Sequence, residues 1–179
     1  MARVCPRKQK IVSIFEPHTD IIRKDRRDTL YGHKVFLTTG ASGLIIDCVV
    51  ERGNPTDSTR AVTLAKRAIK VLDAKPEQVV FDGGFSSRDN LNELKELGIR
   101  DVVFSKAPGI AIKEMIKRTW LYQRLRHFRA GIEGIISFLK RSFGWDRCAW
   151  RSYASFRAYT LGSVIAANLV MLARHALGT

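Results

Sequence analysis

His33–Thr39 (HKVFLTT) and Leu44–Glu51 (LIIDCVVE), joined by Gly40-Ala-Ser-Gly43 and closed by Gly53-Asn-Pro55, carry the clearest β signal in the chain. β-Branched and aromatic residues suit a pleated surface, and a short Gly-containing connection suits an antiparallel hairpin. Downstream, Asp57 and Ser58 stand where an N-cap belongs, ahead of a helix running to about Val71 with Val62, Ala65, Ile69 and Leu72 at helical spacing. Gln78–Phe81 (QVVF) is a short apolar run ended by Asp82-Gly83-Gly84. Ser86 or Ser87 can cap the next helix, which places Leu91, Leu94 and Leu97 on one face and stops at Gly98. Asp101–Ser105 (DVVFS) predicts a further strand, broken by Pro108-Gly109. The pattern is then mainly helical from Ile110 to Phe143, in one or two pieces, and a last helix covers Tyr153 to Ala176.

Upstream, Lys10–Phe15 reads as a short strand stopped by Pro17, and Asp20–Asp28 as charged and turn-like. The expected division is an irregular basic segment over 1–30 and a single α/β domain over 31–179. A hairpin followed by strands separated by helices gives a mixed sheet flanked by helices.

The chain has 179 residues, 45% of them apolar and 27% charged, which is ordinary for one globular domain and argues against global disorder. Charge balance is the unusual feature: 31 Lys+Arg stand against 17 Asp+Glu, a net charge of +14. Such a field attracts polyanions, nucleic acid first and anionic membrane second. Cys5, Cys48 and Cys148 are odd in number and widely spaced, which supports neither a disulfide framework nor a zinc site and suits a reducing cytoplasm. Ala158–Ala173 is free of charge but short of the roughly 20 apolar residues a span needs, and it contains Thr160, Ser163 and Asn168; a buried core helix is the expectation.

Two carboxylates stand out. Asp82 ends an apolar strand, the place where functional groups gather in α/β sheets, although an Asp before two glycines is also an ordinary turn. Glu133 lies in a helix with Arg129 at i−4 and Lys140 at i+7, nearly on one face. An exposed amphipathic helix with a simple Arg–Glu pair would look the same. The flanking Gly131 and Gly134 do not fit that plain reading, since glycine in a helix interior costs about 1 kcal/mol. A close approach of backbone or ligand would account for them.

Four motifs, in order, resemble one family. Arg129-x3-Glu133-x6-Lys140 is similar to part of the signature of DDE insertion-sequence transposases, with Arg126 where the family pattern has a tyrosine. Asp82-Gly-Gly-Phe-Ser-Ser87 resembles the motif of the second aspartate, Gly53-Asn-Pro-Thr-Asp-Ser58 the turn after the hairpin, and Tyr31-Gly-His-Lys34 the segment that opens it. The resemblance runs from about residue 10 to the end. It implies an RNase H-like catalytic domain that cleaves and transfers DNA strands. Two Mg²⁺ (or Mn²⁺) ions, about 3.5–4 Å apart, would activate the attacking oxygen and stabilise the leaving one. It further implies Asp82 and Glu133 as catalytic metal ligands, and Arg126, Arg129, Lys140 and Arg141 as contacts to DNA phosphates. The partners would be transposon ends and target DNA, in a homodimeric transposition complex within the cytoplasm at the nucleoid, with no membrane.

The resemblance also implies a first aspartate on a strand between the hairpin and the Asp82 strand. Asp20 and Asp28 lie in turn-like sequence, Asp57 fits a cap, and Asp47 sits on the hairpin's outer strand, about 10 Å from the Asp82 strand at ordinary strand spacing. None serves. The expectation is an N-terminally truncated domain that lacks its first catalytic strand and is inactive alone. The competing readings are a non-catalytic basic nucleic-acid-binding domain and a membrane-surface protein using the last helix. His18 and His33, and the three tryptophans Trp120, Trp145 and Trp150, are expected in packing or hydrogen-bonded roles.

Overall fold

The computed structural model describes residues 17–24 and 28–178; the strand expected over Lys10–Phe15 lies outside them. Strands β1 (Asp20–Lys24) and β2 (Asp28–Gly32) pair antiparallel, Ile22 opposite Leu30. The turn-like reading of Asp20–Asp28 is thereby corrected: charges at the strand ends masked the β-forming Ile21-Ile22 and Leu30-Tyr31 between them. A half-buried network anchors the pair. The Asp20 carboxylate accepts from the Gly53 N–H (2.9 Å) and meets His33 Nδ1 at 3.0 Å, while His33 Nε2 and His18 Nδ1 are 2.8 Å apart. Both histidines have the structural role expected of them.

The hairpin forms as read. Strands β3 (Val35–Thr39) and β4 (Ile45–Val50) are antiparallel, with a register shift between Thr38 and Thr39. Gly43, at φ +81, takes the left-handed conformation the tight connection needs. A 3₁₀ turn (Asp57–Arg60) then leads into α1 (Ala61–Leu72). Asp57 does not cap that helix. Its carboxylate instead accepts from the Lys34 ammonium at 2.8 Å, a pairing across the chain that outcompetes the local one. The buried stripe of α1 is Ala61, Leu64, Ala65 and Ala68, rotated from the expected one and leaving Leu72 exposed; small side chains let the helix sit close.

Strand β5 (Gln78–Phe81), helix α2 (Arg88–Glu96) and strand β6 (Asp101–Phe104) form a parallel β-α-β unit, Val79 beside Val102. Ser87 caps α2 by accepting from the Asn90 N–H at 3.0 Å, and Gly98, at φ +88, ends it. The Asn90 amide donates to the carbonyls of Ser58 and Phe85, tying this unit to the 3₁₀ turn. A short α3 (Ile112–Met115) precedes the long α4 (Thr119–Phe143), so the helical stretch from Ile110 to Phe143 is in two pieces, and α5 (Tyr153–Leu177) follows.

The architecture is mixed α/β, but the described residues hold three two-stranded pairs rather than one continuous mixed sheet. The core is correspondingly double. One cluster joins β6, α2 and the start of α4 around Leu94, Val102, Val103, Phe104 and Met115; the other joins β4, α4 and α5 around Ile45, Leu139, Val164 and Ala167. A groove of about 980 Å³ is lined by β3 and β5 together with residues of α1 and α4.

Helix α5 departs from the buried core helix expected of it. Only 22% of its most apolar window is buried, and by length and composition it is the one described helix able to cross a membrane. Its inward face carries Thr160, Ser163, Val164 and Ala167, while Leu161, Ile165, Leu169 and Leu172 look outward. Asn168 explains the orientation. Its side chain both accepts from the Ile45 N–H and donates to the Ile45 carbonyl, at 2.9 Å each, clasping β4 as a neighbouring strand would.

Candidate functional site

Asp82 leaves the end of β5 just as Ser105 leaves the end of β6. The parallel register sets Phe81 beside Phe104, so the next residues are neighbours. The Ser105 hydroxyl donates to Asp82 Oδ1 at 3.0 Å, and the Gly83 N–H donates to the same oxygen at 2.6 Å. The other oxygen, Oδ2, lies 3.1 Å from Arg129 Nη2. That nitrogen is also 3.3 Å from Glu133 Oε1, one helical turn further along α4. One guanidinium thus bridges the two carboxylates, whose facing oxygens lie no more than 6.4 Å apart, the sum of the two contacts.

Burial pushes the Asp82 carboxyl up, but the Gly83 N–H, the Ser105 hydroxyl and Arg129 together outweigh it and hold the group below the ordinary carboxylate range. Asp82 is therefore ionised at neutral pH.

The glycines of this region divide into two kinds. A Cβ on Gly83 would meet the Lys106 Cβ at 2.9 Å, and one on Gly84 would meet the Asp57 carboxylate at 2.6 Å. The space over these two glycines is filled from within the protein. Around Gly131 and Gly134 nothing lies within 4 Å, so no part of the described chain requires glycine beside Glu133. The backbone on either side of that carboxylate is bare to solvent.

The structure brings Asp82, Arg129 and Glu133 together and leaves the other basic residues along the same helix. Arg126 extends over the Tyr122 ring, its guanidinium carbon 5.7 Å from the centroid. Lys140 and Arg141 are exposed near the helix end. Arg126, Arg129, Glu133 and Lys140 are separated by three, four and seven residues, so they follow one side of α4, with Arg141 next to it.

Three of the alternative aspartates have occupations of their own. Asp47 is held by both ends of the Arg67 guanidinium, at 2.6 and 2.8 Å, Asp57 by Lys34, and Asp20 by the histidine network. Beside Asp47, burial and then that carboxylate raise the Cys48 thiol to about 12, so it is an inert packing group.

Hard oxygens on Asp82 and Glu133 converge on a single cationic nitrogen, a donor set that suits an ion of the magnesium class with water and phosphate completing its shell. Among the described residues no third His, Cys, Asp or Glu joins them in a metal-holding group. The pair fits one weakly held ion and falls short of a two-ion centre. Ser105 was invisible in the sequence; the only signal was its place at the end of the strand that follows the Asp82 strand.

A mixed α/β protein with a carboxylate pair between a strand end and a basic helix is the class that fold and site define. The chain belongs to the transposase DDE domain family, which it matches over residues 9–169. No curated protein and no solved structure matches it.

Proposed function

We propose that this chain is the catalytic part of an insertion-sequence transposase. In this reading Asp82 and Glu133 form a divalent-metal site, and Arg126, Arg129, Lys140 and Arg141 bind DNA phosphates. The observation that carries it is the convergence of two carboxylates, distant in sequence, on one cation. Bound there, Mg²⁺ or Mn²⁺ supplies Lewis-acid polarisation of a phosphodiester oxygen. The chain's own residues do the rest. Ser105 and the Gly83 N–H fix the Asp82 carboxylate and keep it ionised. Arg129 satisfies both carboxylates at rest and turns its fork to a phosphate when DNA arrives. Arg126, Lys140 and Arg141 extend that contact along α4, and the bare backbone at Gly131 and Gly134 lets a DNA strand approach Glu133. The RNase H-like arrangement of the sheet is part of this reading, as are action on the nucleoid in the cytoplasm and assembly as a homodimer on transposon ends.

Two carboxylates do not complete a two-ion centre, so the chain alone binds DNA without cutting it. The test is fluorescence anisotropy on a DNA duplex across a salt series, paired with a cleavage assay in Mg²⁺. We expect log K to fall steeply with log salt and the slope to drop by about 1 on replacing Lys140 or Arg141 with alanine. A salt-independent affinity overturns the reading; cutting by the chain alone, lost in Glu133→Ala, overturns the inactivity. The second reading, a non-catalytic basic nucleic-acid-binding domain, draws on the absence of a third metal ligand among the described residues. It requires binding that Mg²⁺ leaves unchanged.

A further inference from the structure

We propose that the outward face of α5 is the contact surface for a second copy of this chain, the two α5 helices lying antiparallel without any need of DNA. Ala158, Gly162, Ile165, Leu169, Leu172 and Ala176 step by four and three residues in alternation, the spacing of a coiled-coil seam. All six are exposed, Ile165 and Leu169 by 61% each. The helix packs on its own chain through the opposite side, where Thr160, Ser163, Val164 and Ala167 are buried and Asn168 holds β4. A surface helix ordinarily turns its apolar stripe to the core. This one turns its more polar side inward and an unbroken aliphatic seam outward.

Gly162 is a separate sign of a second helix. Glycine weakens a helix interior, and a Cβ there would meet nothing within 4 Å, so no part of the described chain requires it. Reversing one copy against the other sets Gly162 opposite Leu172 and Ile165 opposite Leu169. A large side chain of one copy then enters the gap left by the glycine of the other, as a knob enters a hole. The seam is thus complementary to itself, as a twofold contact must be. The reversed arrangement also brings opposite ends of the two helix dipoles together.

Charge and size select the occupant. Residues 158–173 hold no charged side chain, so the margins of the seam, Tyr159, Ala166 and Ala173 on one side and Leu161 and Asn168 on the other, offer no ionic group. A different helix would be chosen through charges at those margins, and an anionic bilayer through Lys or Arg there. A seam that selects by shape alone fits its own copy. From 158 to 176 it is about 27 Å long and, at a helix width of about 10 Å, falls below the roughly 800 Å² per partner of a standard interface. The contact is therefore weak and reversible, and at dilution the chain is a monomer with this face bare. The net charge of +14 on each copy opposes pairing further, and salt relieves that repulsion. The pairing rests on α5 and not on the transposase reading: an assembly held by DNA loosens as salt rises, whereas this one tightens.

The test is sedimentation equilibrium of the full chain without DNA, up to about 1 mM, at low and high salt. We expect a monomer–dimer equilibrium, tightened several-fold by salt and weakened by roughly tenfold or more in Ile165→Glu and in Leu169→Lys, each alone, because a charge is buried without a partner. Mixing the two variants should restore it, since antiparallel copies set position 165 of one opposite position 169 of the other and the introduced charges are opposite. A chain monomeric throughout, a dimer untouched by either variant, a dimer that salt dissolves, or a mixture no better than its parts overturns the proposal. So does a loss of stability in Ile165→Glu at dilution, which would mean that the chain covers its own seam. Binding to phosphatidylserine-containing vesicles that Ile165→Glu abolishes overturns it too, since a bilayer would then be the occupant. If the copies pair while DNA binding proves independent of salt, this proposal stands and the transposase reading fails. If DNA binds as expected and the chain stays monomeric, the reverse holds.

Discussion

The two β units of the core contrast sharply. Around β6 every strand position is buried, and Leu94, Val102, Val103 and Phe104 are sealed between α2, α3 and α4. Around β3 and β4 only Phe36 and Ile45 are buried, and α5 is held to β4 in large part by the polar clasp of Asn168. The β6 half has the more fully packed interior, and the groove lined by β3 and β5 runs between the two. Asp82 and Glu133 sit where the halves meet, Asp82 at the end of β5 and Glu133 on the helix that runs across both.

The contrast can be broken by truncation. Phe104→Ala should cost about 3–5 kcal/mol, since a fully buried aromatic leaves a cavity. Leu37→Ala, half-buried against the second cluster, should cost about 1–2 kcal/mol, because less apolar surface is lost. Chemical denaturation of both variants checks the order; equal losses would show that the two halves are one core. Next in size, Asn168→Ala removes two hydrogen bonds and leaves the Ile45 N–H without its partner, about 1–3 kcal/mol. Hydrogen exchange should then quicken over 45–50 while 101–104 stay protected. Loss of protection in both would contradict the separation.

A smaller effect concerns pH. Because the folded Asp82 is held below its ordinary value of about 3.9, its ionised contacts contribute to stability above that pH and are lost as pH falls through the folded value. More than half of the side chain is exposed, so the effect on unfolding is slight and a carboxyl NMR titration is the better probe. We expect a midpoint below 3.9, rising in Ser105→Ala; a midpoint at or above it would contradict the described contacts. Smallest of all, Ile165→Asp on the outer face of α5 should change stability by no more than about 0.5 kcal/mol. A larger loss would mean that this face is covered.

Local patterns made much of this legible. The Gly40–Gly43 hairpin, the Ser87 cap and Gly98 stop, the β5 and β6 strands and the long helices all follow from neighbours in sequence. Readings failed where distant residues decide. Lys34 draws Asp57 away from a cap, and β4 holds Asn168 inward, with Thr160 and Ser163 buried on the same helix, while aliphatic residues of α5 face out. The site shows the same limit. The carboxylates at 82 and 133 could be named from motif and spacing, but that Arg129 bridges them, and that Ser105 steadies one of them, follows only from the strand register and the placing of α4.

The central claim is that Asp82 and Glu133 form one metal-binding site. A titration with paramagnetic Mn²⁺, followed by amide NMR, tests it most directly. The account predicts that the amides of Gly83, Ser105 and 129–134 broaden first, and that Glu133→Gln abolishes this selectivity while the fold persists. Broadening that begins elsewhere, with these amides still sharp, would contradict it.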